Sequence, residues 1–202
     1  MAQRIPPLRG GHHLQLLEGS RELFPALVVA IDAALAEVRL ETYIFDFSSD
    51  SMEVAYALER AARRGVNVQV VVDGVGSSDV PAPLRHRLEF AGVQWQVYSP
   101  PGPFGLLWPG QWRRLHHKLC VVDAKVGFCG GINILDDFHD PNHGVLAAPR
   151  LDFAVQVTGP LVAAMHAAME RQWRRVVAVD RLRHARLRGS ITSLRASGTR
   201  AA

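Results

Sequence analysis

The chain is expected to fold as an α/β protein with a mixed, largely parallel central sheet packed between layers of helix. Three observations carry that expectation. From residue 12 to about residue 98, apolar residues at helical spacing alternate with short β-branched runs. The valine-rich run 66–72 has the composition of a strand buried on both faces, as parallel sheets require. Gly65 and Gly92 stand where a helix must stop and turn into the next strand.

Taken in order, a Pro/Gly-containing arm (1–11) precedes a strand over 12–18. Ser20 is placed to cap a helix over 21–37, whose Leu23, Leu27, Ile31 and Leu35 share one face. A β-branched and aromatic strand covers 38–47, and Ser51 opens a helix over 52–64. Asp73-Gly74-Val75-Gly76 lacks the spacing of a nucleotide fingerprint and reads as a strand-to-loop turn. A helix over 82–91 and a strand over 93–98 follow. Further on, the sequence predicts a short helix over 134–138, a loop over 139–150, a strand over 151–157 and a helix from 161 to about 177. One domain, 12–178, is expected, followed by a basic linker or mobile tail over 179–202.

A chain of 202 residues, 48% of them hydrophobic, fills one core. Cys120 and Cys129 sit in apolar strand patterns without metal-ligand spacing around them, and read as reduced thiols of a cytosolic compartment. No run approaches the ~20 apolar residues of a membrane span, so membrane contact is expected to be peripheral. The net charge of +4 is uneven: beyond residue 170, nine arginines face Asp180 alone, which leaves the body mildly acidic. Such a body speaks against the basic groove of a nucleic-acid enzyme.

Residues 99–114 break the rhythm with four prolines. Phe104, Leu106, Leu107, Trp108 and Trp112 lie there beside Arg113 and Arg114. Apolar tips next to paired arginines suit a lipid-water interface, or a loop packed on its own domain.

The chemistry is concentrated in His116-His117-Lys118, then Asp123, then Gly130-Gly131 and Asn133. On an ideal strand His116 and Lys118 share a face, so an imidazole attacks or protonates a group whose negative charge an ammonium holds. His117 points the other way and reads as a structural or surface neighbour. Residues 123–125 are expected to turn a hairpin that brings Gly130 and Gly131 back toward His116, where glycine lets backbone approach an anion. Asn133, at the start of the next helix, is placed to donate to the same oxygens. Asp123, seven residues from His116, falls on the opposite face and is expected to be a structural member of the motif. Asp152 is a carboxylate at the mouth of an apolar strand, and Glu41 lies within another, where it should have a partner.

The spacing His116-x-Lys118-x4-Asp123-x6-Gly130-Gly131-x-Asn133 resembles the signature of the phospholipase D superfamily at all six fixed positions. Across about 11–175, the chain resembles the N-terminal half of bacterial cardiolipin synthases of the type without N-terminal membrane spans. The resemblance implies one repeat of a phospholipase D-like α-β-α sandwich. It also implies phosphatidyl transfer through a phosphohistidine, with His116, Lys118, Asp123, Asn133 and Asp152 as motif residues. Lys118, Gly130, Gly131 and Asn133 would hold the phosphate, and Asp152 would orient the imidazole of His116. No metal or cofactor is implied. The implied partners are anionic phospholipids such as phosphatidylglycerol and a second motif, from a further half or a homodimer. The implied location is cytoplasmic, peripheral on the inner face of the bacterial cell membrane. The rival expectation is a homodimeric single-motif phosphodiesterase or endonuclease of the same superfamily.

Overall fold

The structure, a computed structural model, describes residues 10–47, 50–77, 80–100, 114–140 and 144–198, with side chains described as far as 185. In chain order the elements are β1 (His13–Glu18), α1 (Gly19–Asp32), β2 (Glu37–Thr42), α2 (Ser51–Arg63), β3 (Asn67–Asp73), α3 (Ala82–Phe90) and β4 (Gln94–Tyr98). They continue with β5 (Leu119–Val122), β6 (Val126–Gly130), β7 (His139–Asp140), β8 (Gly144–Val145), β9 (Phe153–Thr158) and α4 (Leu161–Gly198).

Seven strands form one mixed sheet in the order β1-β9-β6-β5-β2-β3-β4. Parallel pairing is confined to β2-β3-β4, where helices α2 and α3 supply the crossovers. The other half, from β1 to β5, is antiparallel and joins β2 antiparallel as well. Parallel strands therefore occupy one side of the sheet rather than most of it, because the β5–β6 hairpin and the return strand β9 need no crossover helix.

The alternation within β5 shows how the two faces are filled. Cys120 and Val122 pack with Leu27, Leu58 and Phe128 in the core under α1, α2 and α3. Val121, between them, packs with Met165 and Met169 of α4 on the opposite face. The result is the expected three-layer sandwich.

Four local expectations change. The segment 134–138 forms no helix, because its backbone is taken by the chain ahead of α2: Ile134 bridges Phe45, donates its N–H to Ile44 O and accepts from Asp46 N. Helix α1 stops at Asp32 rather than 37. Helix α4 does not end near 177 but continues to Gly198. No proline interrupts it, and Arg174–Glu170 and His184–Asp180 supply i,i+4 pairs along it. Finally, β5 begins at Leu119, so His116, His117 and Lys118 precede the strand rather than lie in it.

Candidate active site

Strand direction decides which residues meet. β2 and β3 run in parallel, so Tyr43 and Asp73 mark the same edge of the sheet. β5 is antiparallel to β2, which puts the start of β5 at that edge. The end of β6 and the start of β9 arrive there too, with Gly130 opposite Ala154. His116, Lys118, Gly131, Asn133 and Asp152 therefore gather at one rim, at the carboxyl ends of the parallel strands, where open α/β sheets hold ligands. Asp123 follows β5 at the far edge. Seven extended residues separate it from His116, about 20 Å.

Two carboxylates buried in the sheet fix the approach to β5. Asp73 is fully buried and accepts from the N–H groups of Leu115 (2.8 Å), Val75 (2.9 Å) and Gly76 (3.2 Å). Arg114, expected among the lipid-contact residues, instead turns its guanidinium to Asp73 and Ser99 O, because a carboxylate buried there needs a cationic partner. Glu41, also buried, meets His117 Nδ1 at 3.1 Å. The other proposed lipid-contact residues, Phe104, Leu106, Leu107, Trp108, Trp112 and Arg113, lie outside the described residues.

His116 is exposed, and its ring stacks on Tyr43 with centroids 4.9 Å apart and planes 20° apart. Lys118 Nζ lies 5.6 Å from the same tyrosine centroid and donates to His116 O at 3.3 Å. Burial lowers the Lys118 pKa, a shift that the neighbouring Asp152 carboxylate opposes. Asn133 accepts Ile44 N–H on Oδ1 at 3.1 Å, which leaves its amide NH2 as the group available to an anion. Asn133 sits in a loop after β6, not at a helix start.

Two expected roles change on these contacts. Gly130 N–H donates to Lys118 O and Gly131 N–H to Phe153 O, so neither is free to cradle phosphate. Their lack of a side chain serves close packing instead: a Cβ on Gly130 would strike the backbone of Ala154 and Phe153, and one on Gly131 would strike the Asp152 carboxylate. Asp152 lies over Gly131 and accepts its neighbour Phe153 N–H at 2.8 Å. Among the described residues no hydrogen bond joins it to the ring of His116.

Asp123 is structural. It accepts the N–H groups of Leu35, Ala36 and Glu37 at 2.8 to 2.9 Å and ties the start of β2 to the β5–β6 turn. Burial works against its ionisation, but the hydrogen bonds from Glu37, Leu35 and Ala36 outweigh it and hold the carboxyl below its ordinary range.

Sequence reasoning missed Tyr43 as a platform and Asp73 as the anchor of the segment before β5. It flagged Glu41 as a strand carboxylate in need of a partner but did not find His117. In each case the signal was a polar side chain at the carboxyl end of a buried strand. Among the described residues no three His, Cys, Asp or Glu side chains converge as a metal site needs.

An imidazole, an ammonium and a carboxamide at one sheet edge make a site for an anionic ester. Residues 27–150 match the family model described as cardiolipin synthase, PLD-like domain, and the chain belongs to that family. It is 35% identical over 178 residues to cardiolipin synthase B of Escherichia coli strain K12, covering 83% of this chain and 42% of the relative. Cardiolipin synthase A of Pseudomonas putida strain W619 is 30% identical over 167 residues, 83% of this chain and 34% of the relative. The chain thus spans less than half the length of these relatives. Among solved structures, Nuc from Salmonella typhimurium, a phospholipase D family member, superposes with a TM-score of 0.57 at 18% identity, covering 81% of this chain and 95% of that one. NucT from Helicobacter pylori does so with a TM-score of 0.60 at 13% identity, over 83% and 97%. The fold is that of the phospholipase D family.

Proposed function

We propose that the chain is one catalytic half of a cardiolipin synthase-like phosphatidyltransferase, working through a phosphohistidine on His116. The observation that carries this reading is the convergence of His116, Lys118 and Asn133 at one rim, in a chain 35% identical over most of its length to cardiolipin synthase B. A phosphodiester anion resists nucleophiles until its charge is neutralised and its leaving alkoxide protonated. In the proposed first step the imidazole of His116 attacks phosphorus, and the headgroup alcohol leaves with a proton from a second histidine. Lys118 and the Asn133 amide neutralise the non-bridging oxygens. In the second step a hydroxyl of phosphatidylglycerol, deprotonated by that second histidine, attacks phosphorus and releases His116. Asp152 would restrain the Lys118 and His116 pair as phosphate enters.

The second histidine would come from a further motif-bearing half or from a homodimer partner. Anionic phospholipid at a membrane surface is the proposed substrate source, with the chain peripheral to it; no helix among the described residues is long and apolar enough to cross a membrane.

The test incubates the chain with phosphatidylglycerol vesicles, alone and with a separately expressed second half. Cardiolipin is read by lipid mass spectrometry, and the acid-labile phosphoenzyme is trapped in parallel. Cardiolipin and a trapped intermediate, both lost in His116→Asn, are expected. Neither product in either arm overturns the reading. DNA cleavage by the chain alone, with vesicles untouched, would favour the homodimeric phosphodiesterase, the reading that the single motif also supports.

A further inference from the structure

Glu41 is a buried carboxylate near the site with one oxygen left unpartnered. It is 2% exposed within β2, and its Oε1 is buried without a hydrogen-bond partner. A carboxylate stripped of water destabilises a fold by several kcal/mol unless a cation offsets it. The offset here comes from one contact, Oε2 with His117 Nδ1. That contact fixes the ring: Nδ1 faces the buried carboxylate, and Nε2 is left to the solvent side of a side chain that is 58% exposed. Tyr43, two residues after Glu41, carries His116 and Lys118. The end of β2 thus positions three consecutive nitrogen side chains at the phosphate rim.

We propose that Glu41 is a positioning residue that holds His117 as an oriented, cationic anion-binding residue beside Lys118. The inference rests on the phosphoryl-transfer reading for the identity of the anion, and on the Glu41–His117 geometry for everything else. It assigns chemistry to a residue that the strand pattern leaves as a bystander.

The charged surroundings support it. The hydrogen bond that His117 donates to Glu41 raises the His117 pKa, against burial and against the repulsion of Lys118. Arg39, the other nearby cation on β2, is taken by Glu37 and Gln69. On the α4 side, Met169 and Trp173 line the space around Glu41 and carry no charge. His117 is therefore the partner available to Glu41, and Glu41 the group that favours the protonated ring of His117.

The probe is inorganic phosphate, titrated into the full chain between pH 5.5 and 8.5 and followed by the histidine ring signals in nuclear magnetic resonance. His117→Gln is expected to weaken phosphate binding about tenfold, the worth of one charge-assisted hydrogen bond. His117→Arg should restore it to within about threefold, since a guanidinium both pairs with Glu41 and keeps the charge. In Glu41→Gln, binding should fall away at lower pH than in the parent chain. A merely structural clamp would not move the pH limb or respond to the arginine rescue.

Parent-like phosphate affinity in His117→Gln overturns the inference, as does a parent chain that binds no phosphate at pH 5.5. Should Glu41→Gln fail to fold, the two His117 variants still decide, because that side chain is largely exposed. Phosphate results as expected without any lipid transfer would sink the transferase reading and keep this one. Transfer with phosphate binding indifferent to His117 would do the reverse.

Discussion

Tyr43 carries two nitrogen side chains of the site on one ring, with the His116 imidazole stacked at 4.9 Å and the Lys118 ammonium 5.6 Å from the centroid. A stacked ring contact contributes about 0.5–1.5 kcal/mol and an exposed cation–π contact about 0.5–1 kcal/mol. Together they amount to roughly a tenfold effect on how often His116 sits ready to attack. Tyr43→Leu is therefore expected to slow phosphoenzyme formation about tenfold, with Tyr43→Phe within about twofold; rapid-quench trapping of the intermediate checks both. The Glu41–His117 pair makes a second prediction, on stability. Because its pKa is raised by the Glu41 hydrogen bond, His117 adds stability that is fully present below its ordinary value near 6.5 and is lost as pH rises through the raised one. The urea midpoint of the parent chain should accordingly exceed that of Glu41→Gln by more at pH 5.5 than at pH 9. An equal gap at both would mean that the pair is not ionic.

The β5–β6 hairpin was legible from the sequence because its devices are local. Asp123 and Ala124 adopt φ of 50° and 51° in the turn closed by Lys125 N–H on Val122 O, as a tight hairpin demands. The helix expected over 134–138 was not legible, since the pairing of Ile134 with Phe45 involves residues 89 positions apart that no local pattern connects. At this scale two substitutions separate packing from chemistry. Asp123→Ala strips the acceptor from three backbone N–H groups and should cost about 2 kcal/mol in urea unfolding. Its effect should shrink in acid: the lowered pKa makes this stabilisation present above the ordinary value near 3.8 and lost as pH falls through the depressed one. Gly130→Ala forces a methyl against the backbone of β9, which cannot swing aside as a side chain would. An overpacking cost of about 1–3 kcal/mol is expected, read as a lower urea midpoint.

For the molecule as a whole, the six-position motif was readable but its geometry was not, because the direction of β5 relative to β2 decides which motif residues meet. That direction gathers His116, Lys118 and Asn133 at one rim and sends Asp123 to the other. It also limits what one chain can do. In-line displacement at phosphorus needs an attacking group on one side and a proton donor on the other. Among the described residues His116 is the imidazole stacked free at the rim, whereas His117 is tied to Glu41. In the proposed mechanism the second imidazole comes from outside this repeat, and the relatives, of which the chain spans 42% or less, are long enough to contain one. Mixing the parent chain with His116→Asn at constant total concentration, in the presence of a saturating second half, distinguishes the possible sources. If each site takes one His116 and one histidine from the added half, activity should follow the parent fraction linearly. If two copies of this chain share a site, it should follow the square, falling to about a quarter in an equal mixture. Linear dependence is the expected result, and a quadratic curve would replace the two-half enzyme with a homodimer.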